Sequence, residues 1–246
     1  MDEPADQPPP PSLRNLSERY SLALFLDFDG TLADIAPEPD AIVVAPSLAG
    51  TLAGLSNKLG GRLALISGRA IENLEHHCGT LAIACGGSHG AALRAADGEV
   101  LFCDEPLPPE IVREALEWAH GRGVFTEVKP HGIALHSRAN PVLEEECALY
   151  LAGLAGRHAL ALKRGKRVAE LVRKGADKGF AVRRFMTEPP FAGAVPVFVG
   201  DDVTDEDGFA ACERLGGFGI AVGERRSPTA RFRLPDPAAV RQWAGL

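Results

Sequence analysis

Two aspartates stand two positions apart at the end of an apolar run. Residues 22–26 are apolar throughout, and residues 27–32 then read Asp-Phe-Asp-Gly-Thr-Leu. Side chains at i and i+2 of extended backbone point the same way, so the carboxylates of Asp27 and Asp29 share one space. Two negative charges this close are costly unless a cation separates them or one is protonated. A hard divalent cation such as Mg²⁺ meets this need with oxygen ligands.

This pair of carboxylates predicts phosphoryl transfer through a covalent intermediate. One carboxylate can attack phosphorus and form an aspartyl phosphate. The other can protonate the leaving alkoxide and then activate water, while the metal neutralises charge on the phosphoryl oxygens. A turn cap at the strand end is the plain alternative. The full phrase of residues 27–32 directly after a hydrophobic run favours the chemistry.

An acidic loop and a Ser-Gly turn follow two other apolar runs. Residues 201–207 contain five carboxylates. Asp201 stands at the strand end, where a metal ligand is needed, and Asp205 could hold a water on that metal. Acidic residues also favour helix N-termini without any metal, which accounts for Glu206 and Asp207. Ser67, with the first amides of the helix after it, can form a phosphate pocket, although Ser-Gly is also an ordinary turn.

Lys178 opens a predicted helix directly after Asp177. A cation at a helix N-terminus opposes the helix dipole, which is mildly unfavourable unless an anion is nearby. We therefore predict that Lys178 contacts the phosphoryl group and the Asp27 carboxylate.

The scaffold around these residues is predicted to be α/β. Short apolar runs at 22–26, 63–66, 81–85, 195–199 and 219–222 alternate with amphipathic segments of helix length at 47–59, 70–78, 178–187 and 205–215. This alternation is typical of a parallel sheet covered by helices. Ligands of open α/β sheets bind outside the carboxyl ends of the strands. Asp27, Ser67 and Asp201 all stand at such ends.

The pattern changes in the middle of the chain. Strands with polar alternation are predicted at 98–102, 124–129, 132–136, 160–163 and 168–172, with helices at 109–120 and 141–155. We interpret this stretch as an α+β cap of roughly 70 residues inserted in the core. The predicted core is 13–103 and 174–246, the cap is 104–173, and hinges lie near 102–104 and 173–177. The acidic, proline-rich residues 1–12 are predicted to be a disordered tail.

Composition excludes several classes of function. The chain has 246 residues and a net charge of −7, which argues against a nucleic-acid partner. The apolar runs are too short to span a bilayer. Five cysteines, odd in number and without a C-x-x-C pair, indicate reduced thiols, a cytoplasmic location and no zinc site. We expect a monomer that acts on a small molecule.

The catalytic segments, in this order, resemble the haloacid dehalogenase superfamily of phosphatases, and the insertion resembles its type 2 cap. The resemblance implies a Rossmann-like core in which Asp27 is the nucleophile, Asp29 the general acid and base, and Lys178 a stabiliser of the phosphoryl group. It implies phosphate contacts from Thr31 and Ser67, and Mg²⁺ held by Asp27, Asp201 and Asp29, the last through its backbone carbonyl. We also predict a phosphate contact from Gly68 and a place for Asp205 at the metal.

Within that superfamily the chain is similar to the trehalose-6-phosphate phosphatases. The similarity lies in Gly87-Ser-His-Gly90, Glu127-Val-Lys129, His136-Ser-Arg138 and the stretch 164–170. It implies Mg²⁺-dependent hydrolysis of trehalose 6-phosphate in trehalose biosynthesis, with sugar contacts from His89, Glu127, Lys129, Lys166 and Glu170. We also predict a substrate contact from Arg138. After Glu170 the family tends to have Arg-Pro, whereas this chain has Leu171-Val-Arg-Lys174. Two alternatives stay open: a phosphatase of another sugar phosphate, such as sucrose phosphate, or a non-catalytic sugar-phosphate sensor.

Overall fold

The computed structural model describes residues 7–36, 41–165 and 167–246. Its strands, in chain order, are β1 Leu22–Leu26, β2 Leu63–Ile66, β3 Ala84–Gly87, β4 Ala92–Arg94, β5 Val100–Cys103, β6 Phe125–Lys129, β7 Gly132–His136, β8 Leu160–Gly165, β9 Val168–Arg173, β10 Val195–Gly200, β11 Phe218–Val222 and β12 Phe232–Leu234. Its helices are α1 Leu13–Arg19, α2 Leu48–Lys58, α3 Ile71–Cys78, α4 Pro109–Ala119, α5 Glu144–His158, α6 Lys178–Phe185, α7 Glu206–Arg214 and α8 Pro237–Ala244.

The larger sheet has the strand order β12-β11-β10-β1-β2-β3-β4-β5. The pairs from β12 through β3 are parallel, and β4 and β5 join antiparallel at one edge. The central strand β1 is buried at all five positions because apolar side chains cover both of its faces. The predicted α/β core is thus confirmed. Asp27, Ser67 and Asp201 follow neighbouring strands at the same edge of this sheet.

The smaller sheet is antiparallel, in the order β6-β7-β9-β8. Its strands lie in sequence between β5 and α6, and α4 and α5 pack on it around a separate apolar cluster that includes Ile133, Leu135, Leu151 and Leu171. The chain leaves the larger sheet after Cys103, and the last strand of the smaller sheet ends at Arg173. The assignment of 104–173 as a substrate-specificity cap stays a prediction.

The N-terminal prediction is wrong for residues 7–12. The backbone N–H of Arg233 donates to the Pro8 carbonyl at 3.0 Å, and the indole N–H of Trp243 donates to the Pro11 carbonyl at 2.8 Å. Ser12 caps α1 by accepting from the Asn15 N–H. Proline-rich sequence cannot form a core alone, but here it is held against the C-terminal elements by backbone hydrogen bonds. The prediction for residues 1–6 lies outside the described residues.

Element boundaries also differ from the sequence predictions. The third strand begins at Ala84 because its register with β2 starts at the Ala64–Ala84 pair, while the Leu81 N–H donates to the Glu75 carboxylate instead. The strand expected among the cap strands at 98–102 is β5, which pairs with β4 in the larger sheet. The sequence reading missed α1, α8, β4 and β12, which are short and carry weak apolar patterns. The described helices include none with the length and apolarity of a membrane span.

Candidate active site

A cleft of about 1090 Å³ lies where the carboxyl ends of β1, β2 and β10 face the smaller sheet. From the larger sheet and its loops it is lined by Asp27, Asp29, Ser67, Gly68, His89, Lys178 and Asp201. From the smaller sheet and its loops it is lined by Glu127, Lys129, His136, Arg138 and Glu170. The structure therefore brings groups that are up to 174 positions apart in sequence (Asp27 and Asp201) into one cavity.

Lys178 lies between two buried carboxylates. Its ammonium nitrogen is 2.8 Å from Asp27 Oδ1 and 2.6 Å from Asp205 Oδ1, and the three side chains are nearly inaccessible to solvent. The Asp177 side chain caps α6 by accepting from the Phe180 N–H, which fixes the start of this helix. Burial alone would lower the pKa of Lys178, but Asp205 and Asp27 outweigh burial and raise that pKa. Lys178 is therefore a permanent cation that orients Asp27.

The site holds more negative charge than Lys178 can balance. Carboxylate oxygens of Asp27, Asp201 and Asp205 lie within 4.8 Å of one another. Burial and the charge of Asp205 raise the pKa of Asp201 to about 7. Burial raises the pKa of Asp27 well above its usual value, and Lys178 opposes this shift. The crowding indicates a place for a further cation.

The geometry fits a hard metal ion. Asp201 Oδ1 is buried and has no hydrogen-bond partner among the described residues, so it is available as a ligand. Gly30 has φ +74°, and a Cβ at this position would lie 2.2 Å from the Asp201 carboxylate. Only glycine therefore lets Asp201 approach the end of β1. An all-oxygen donor set of this kind suits Mg²⁺.

Asp29 is held by a different cation. Arg69 donates from Nε and Nη2 to the two oxygens of Asp29, each at 2.7 Å, and from Nη1 to Asn73 at 2.8 Å. The Asp29 carboxylate is more than one-third exposed and lines the cleft. Its side chain lies outside the three-carboxylate group, so any role of Asp29 as a metal ligand falls to its backbone carbonyl. Arg69 therefore fixes the position of the Asp29 carboxylate at the cleft.

Two of the residues predicted to bind phosphate, Ser67 and Gly68, line the cleft with Asp27, whereas Thr31 is not among its lining residues. Thr31 is fully buried, and its Oγ1 has no partner among the described residues. Ser67 is buried and accepts from the Arg69 N–H at 3.2 Å. Gly68 packs directly on an imidazole, because a Cβ here would lie 2.7 Å from the His89 ring. The turn at residues 67–69 therefore lies between the end of β2, where Ser67 stands, and the His89 imidazole.

Lys129, Glu170 and the imidazole of His89 form a cluster between the two sheets. Lys129 of β6 donates to Glu170 of β9 at 2.9 Å and to the Gly68 carbonyl at 3.1 Å. His89 Nε2 lies 3.2 Å from the same Glu170 oxygen. Burial would raise the pKa of Glu170, but Lys129 and His89 outweigh it and lower the pKa to about 2. Glu170 is therefore an anion at neutral pH, and its Oε1 is unpartnered among the described residues.

The other predicted sugar contacts lie on the same wall of the cleft. Glu127 is 2.9 Å from His136 Nε2, and His136 is buried. Arg138 donates to the Ala36 carbonyl at 2.8 Å and so reaches the loop after β1. Lys166 lies outside the described residues.

Three site residues were not assigned a role by sequence reasoning. Arg69 and His136 stand inside the quoted motifs, but only the structure shows them paired with Asp29 and Glu127. Arg225 donates to the Asp201 and Asp202 carbonyls at 3.0 and 2.9 Å and pairs with Glu206 at 2.7 Å. It is separated from Asp201 by 24 positions and belongs to no motif, so no local signal marks it.

Comparisons with known proteins decide between the classes that such a site permits. The family model described as trehalose-phosphatase matches residues 25–237, which is most of the chain. The chain belongs to the trehalose-phosphatase family. The resemblance found in the sequence and the prediction of a phosphatase are thereby confirmed.

Relatives of this trehalose-phosphatase family member cover nearly all of it. A probable trehalose-phosphate phosphatase of Sinorhizobium fredii is 42% identical over 212 residues, which are 82% of this chain and 77% of the relative. The trehalose-6-phosphate phosphatase of Escherichia coli K12 is 37% identical over 253 aligned positions, which cover 99% of this chain and 90% of the relative. The match therefore includes both sheets and the cleft between them.

Solved structures share the fold. The C-terminal domain of Candida albicans trehalose-6-phosphate phosphatase superposes with a TM-score of 0.83 at 24% identity, covering 99% of this chain and 100% of that domain. A phosphatase of the haloalkanoate (HAD) superfamily from Bacteroides thetaiotaomicron gives a TM-score of 0.58 at 16% identity, covering 92% of this chain and 93% of that protein. The predicted haloacid dehalogenase-like fold is confirmed.

Proposed function

We propose that this protein is a trehalose-phosphatase that hydrolyses trehalose 6-phosphate to trehalose and phosphate. The observation that carries the proposal is one cleft with two walls. One wall holds the Asp27–Lys178–Asp205 chain beside Asp201, and the other holds the cluster of Lys129 and Glu170. The first wall suits phosphoryl transfer, and the second suits a ligand with many hydroxyls.

In the first step Asp27 is the nucleophile. Lys178 binds Asp27 Oδ1, which leaves Oδ2 free to attack phosphorus. An O–P bond forms as the bond from phosphorus to the sugar oxygen breaks, and Asp29 gives that oxygen a proton. Ser67, the Gly68 backbone and Thr31 receive the phosphoryl oxygens.

In the second step the aspartyl phosphate is hydrolysed. Asp29, now a carboxylate, takes a proton from a water that attacks phosphorus, and Asp27 leaves as the free carboxylate. Arg69 holds Asp29 through both of its oxygens in each step, so the proton carrier stays in place.

Mg²⁺ is the proposed cofactor. Asp27, Asp201 and the Asp29 carbonyl would hold it, with Asp205 anchoring Lys178 beside it and available to a metal-bound water. When bound, the ion neutralises charge on the transferring phosphoryl group. Arg225 supports this arrangement because it donates to the backbone carbonyls of Asp201 and Asp202.

The sugar is proposed to lie against the smaller sheet, which would act as the cap. Carboxylates, lysine and histidine are donors and acceptors that match sugar hydroxyls. His89, Glu127, Lys129, Arg138, Lys166 and Glu170 are the proposed contacts. A monomeric state, a cytoplasmic location and the absence of a nucleic-acid partner remain predictions. The five cysteines are all free thiols, which suits the proposed location.

A panel of phosphate esters tests the substrate. With Mg²⁺, the purified protein is expected to release phosphate from trehalose 6-phosphate with a kcat/KM at least about tenfold above those for glucose 6-phosphate and sucrose 6-phosphate, because a second correctly bound ring adds hydrogen bonds. Equal kcat/KM values for the three esters would contradict trehalose 6-phosphate as the substrate but would still support phosphatase activity. Tight binding of trehalose 6-phosphate without turnover of any ester would establish the sensor alternative.

A further inference from the structure

A second cavity, of about 170 Å³, lies where the turn after β6 meets the edge of the larger sheet. It is lined by residues of α3, β4 and β5 and by the turn residues Pro130 and His131. It shares no lining residue with the active-site cleft. The mechanism above gives this cavity no role.

Cys103 is the exposed thiol of the chain. The other four cysteines are buried, so reagents in solution reach Cys103 first. Cys103 is the last residue of β5, where the chain passes from the larger sheet toward the smaller one. The next residue, Asp104, lies 3.7 Å from Arg173 at the return crossing. The thiol is thus at the junction of the two units.

A histidine from the opposite unit faces this thiol. Cys103 Sγ lies 3.8 Å from His131 Nε2 and 3.7 Å from the Asp104 carbonyl. His131 is only 6% exposed, and its Nδ1 has no partner among the described residues. Ser88 Oγ, also buried on the cavity wall, is likewise without a described partner. The cavity beside the thiol therefore offers unused polar groups to a polar adduct.

We propose that Cys103 is a modification site for low-molecular-weight disulfides, and that the adduct uncouples the smaller sheet from the core. The effect on turnover rests on the proposed function. The modification itself does not.

The reaction is thiol–disulfide exchange. His131 Nε2 accepts the proton of the Cys103 thiol, and the thiolate attacks one sulfur of the small disulfide. A new S–S bond forms as the old one breaks, and the second half of the small disulfide leaves as a thiolate with the electron pair. Cys103 is oxidised and the small disulfide is reduced. A thiol reductant reverses the exchange.

The adduct acts through the hairpin of β6 and β7. Modification removes the thiol hydrogen that Cys103 shares with His131 Nε2 and adds bulk beside the imidazole, so this contact between the two units is lost. His131 stands two positions after Lys129, whose ammonium group joins Glu170 to the Gly68 carbonyl. Displacing the turn therefore withdraws Lys129 from the phosphate-binding turn. The catalytic group of Asp27, Lys178 and Asp205 lies on the other wall and keeps its contacts.

The first test uses oxidised glutathione and the full chain. Peptide mass spectrometry is expected to find glutathione on Cys103 before any other cysteine. The Cys103→Ser variant should show no modification as fast as this one. Cys103 should react about tenfold faster than the same cysteine in a peptide of residues 99–107, because His131 Nε2 lies 3.8 Å from Sγ and can accept the thiol proton. His131→Gln should remove that advantage. First modification at another cysteine, or a rate no higher than that of the peptide, would overturn the proposal.

The second test measures what the adduct does. Glutathionylated protein should lose about tenfold in kcat/KM for trehalose 6-phosphate, the order expected when a charge-assisted hydrogen bond is lost. Hydrolysis of p-nitrophenyl phosphate, which has no sugar to contact the cap, should change less than about twofold, and dithiothreitol should restore full activity. Cys103→Ser should be unaffected by the disulfide. Unchanged rates after full modification, or equal loss on both substrates, would contradict the coupling.

Hydrogen exchange separates this inference from the proposed function. Modified protein should exchange amides of residues 125–136 faster, with residues 22–26 unchanged. If the unmodified protein does not hydrolyse trehalose 6-phosphate, the proposed function fails, while faster exchange confined to the hairpin still supports the coupling. Unchanged exchange would overturn it.

Discussion

Individual residues of the site carry charges that are balanced only when a cation joins them. Lys178 binds two carboxylates, and Asp201 is left beside them with a buried oxygen that no described residue contacts through a hydrogen bond. Arg69 balances Asp29 separately. The two aspartates of the first motif therefore have different partners, which suits one fixed nucleophile and one accessible proton carrier.

This balance predicts opposite effects of one substitution. In EDTA, Asp201→Asn is expected to raise the melting temperature because it removes one of the crowded negative charges. At Mg²⁺ concentrations of about 100 times Kd, the wild-type protein should gain about 2.7 kcal/mol from binding, and the variant should gain much less. Thermal unfolding with and without Mg²⁺ measures both, with Asp97→Asn in an exposed turn as the matched control. Equal Mg²⁺ shifts in all three proteins would contradict the metal site.

Gly68 gives a second prediction at this scale. A methyl group on Gly68 would meet the His89 ring, which must move away from Glu170. We expect Gly68→Ala to cost about 1–3 kcal/mol of stability, as overpacking does. We also expect it to raise KM for trehalose 6-phosphate more than it lowers kcat. Gly54→Ala, where a Cβ meets nothing within 4 Å, is the control. A variant with wild-type KM would refute the role of this contact.

At the scale of elements, β6 and β9 reach the core through buried ionic groups rather than apolar packing. Glu170 of β9 is an anion because Lys129 and His89 hold its pKa near 2 despite its burial. Ionised Glu170 therefore stabilises the fold fully above its ordinary pKa of about 4.3, and the contribution is lost as pH falls toward 2.

Glu170→Gln tests this dependence. The melting temperature of the variant should lie below that of the wild type near pH 7, and the difference should shrink as pH falls below about 4. Glu145→Gln is the control, because its partner Arg164 and Glu145 itself are more than half exposed. A difference that stays constant from pH 7 to pH 3 would show that the Glu170 charge does not hold the strands.

The elements also show what the sequence could and could not provide. The strands that carry Asp27, Ser67 and Asp201 are continuous apolar runs, so their positions and ends were predictable. The elements β4, β12, α1 and α8 have short, weak patterns and form because neighbouring elements supply their partners. The ordering of residues 7–12 depends on bonds to Arg233 and Trp243, which no local pattern of a proline-rich segment reveals.

At the scale of the whole molecule, the proposed function depends on two sheets that meet at one cleft. The catalytic motifs and the cap phrases could be found in the sequence because each is contiguous. The links between them could not. Lys129 to Gly68, Arg225 to the Asp201 carbonyl and Arg138 to the Ala36 carbonyl each join residues at least 24 positions apart through a backbone carbonyl, which carries no sequence signal.

The central claim is that Asp27 takes the phosphoryl group from trehalose 6-phosphate. The most direct measurement is acid quenching of the protein during turnover with Mg²⁺, followed by mass spectrometry of its peptides. We expect one phosphoryl group on Asp27 in the wild type and in Asp97→Asn, and neither phosphorylation nor phosphate release in Asp27→Asn. Turnover of trehalose 6-phosphate by Asp27→Asn at the wild-type rate would show that Asp27 is not the nucleophile.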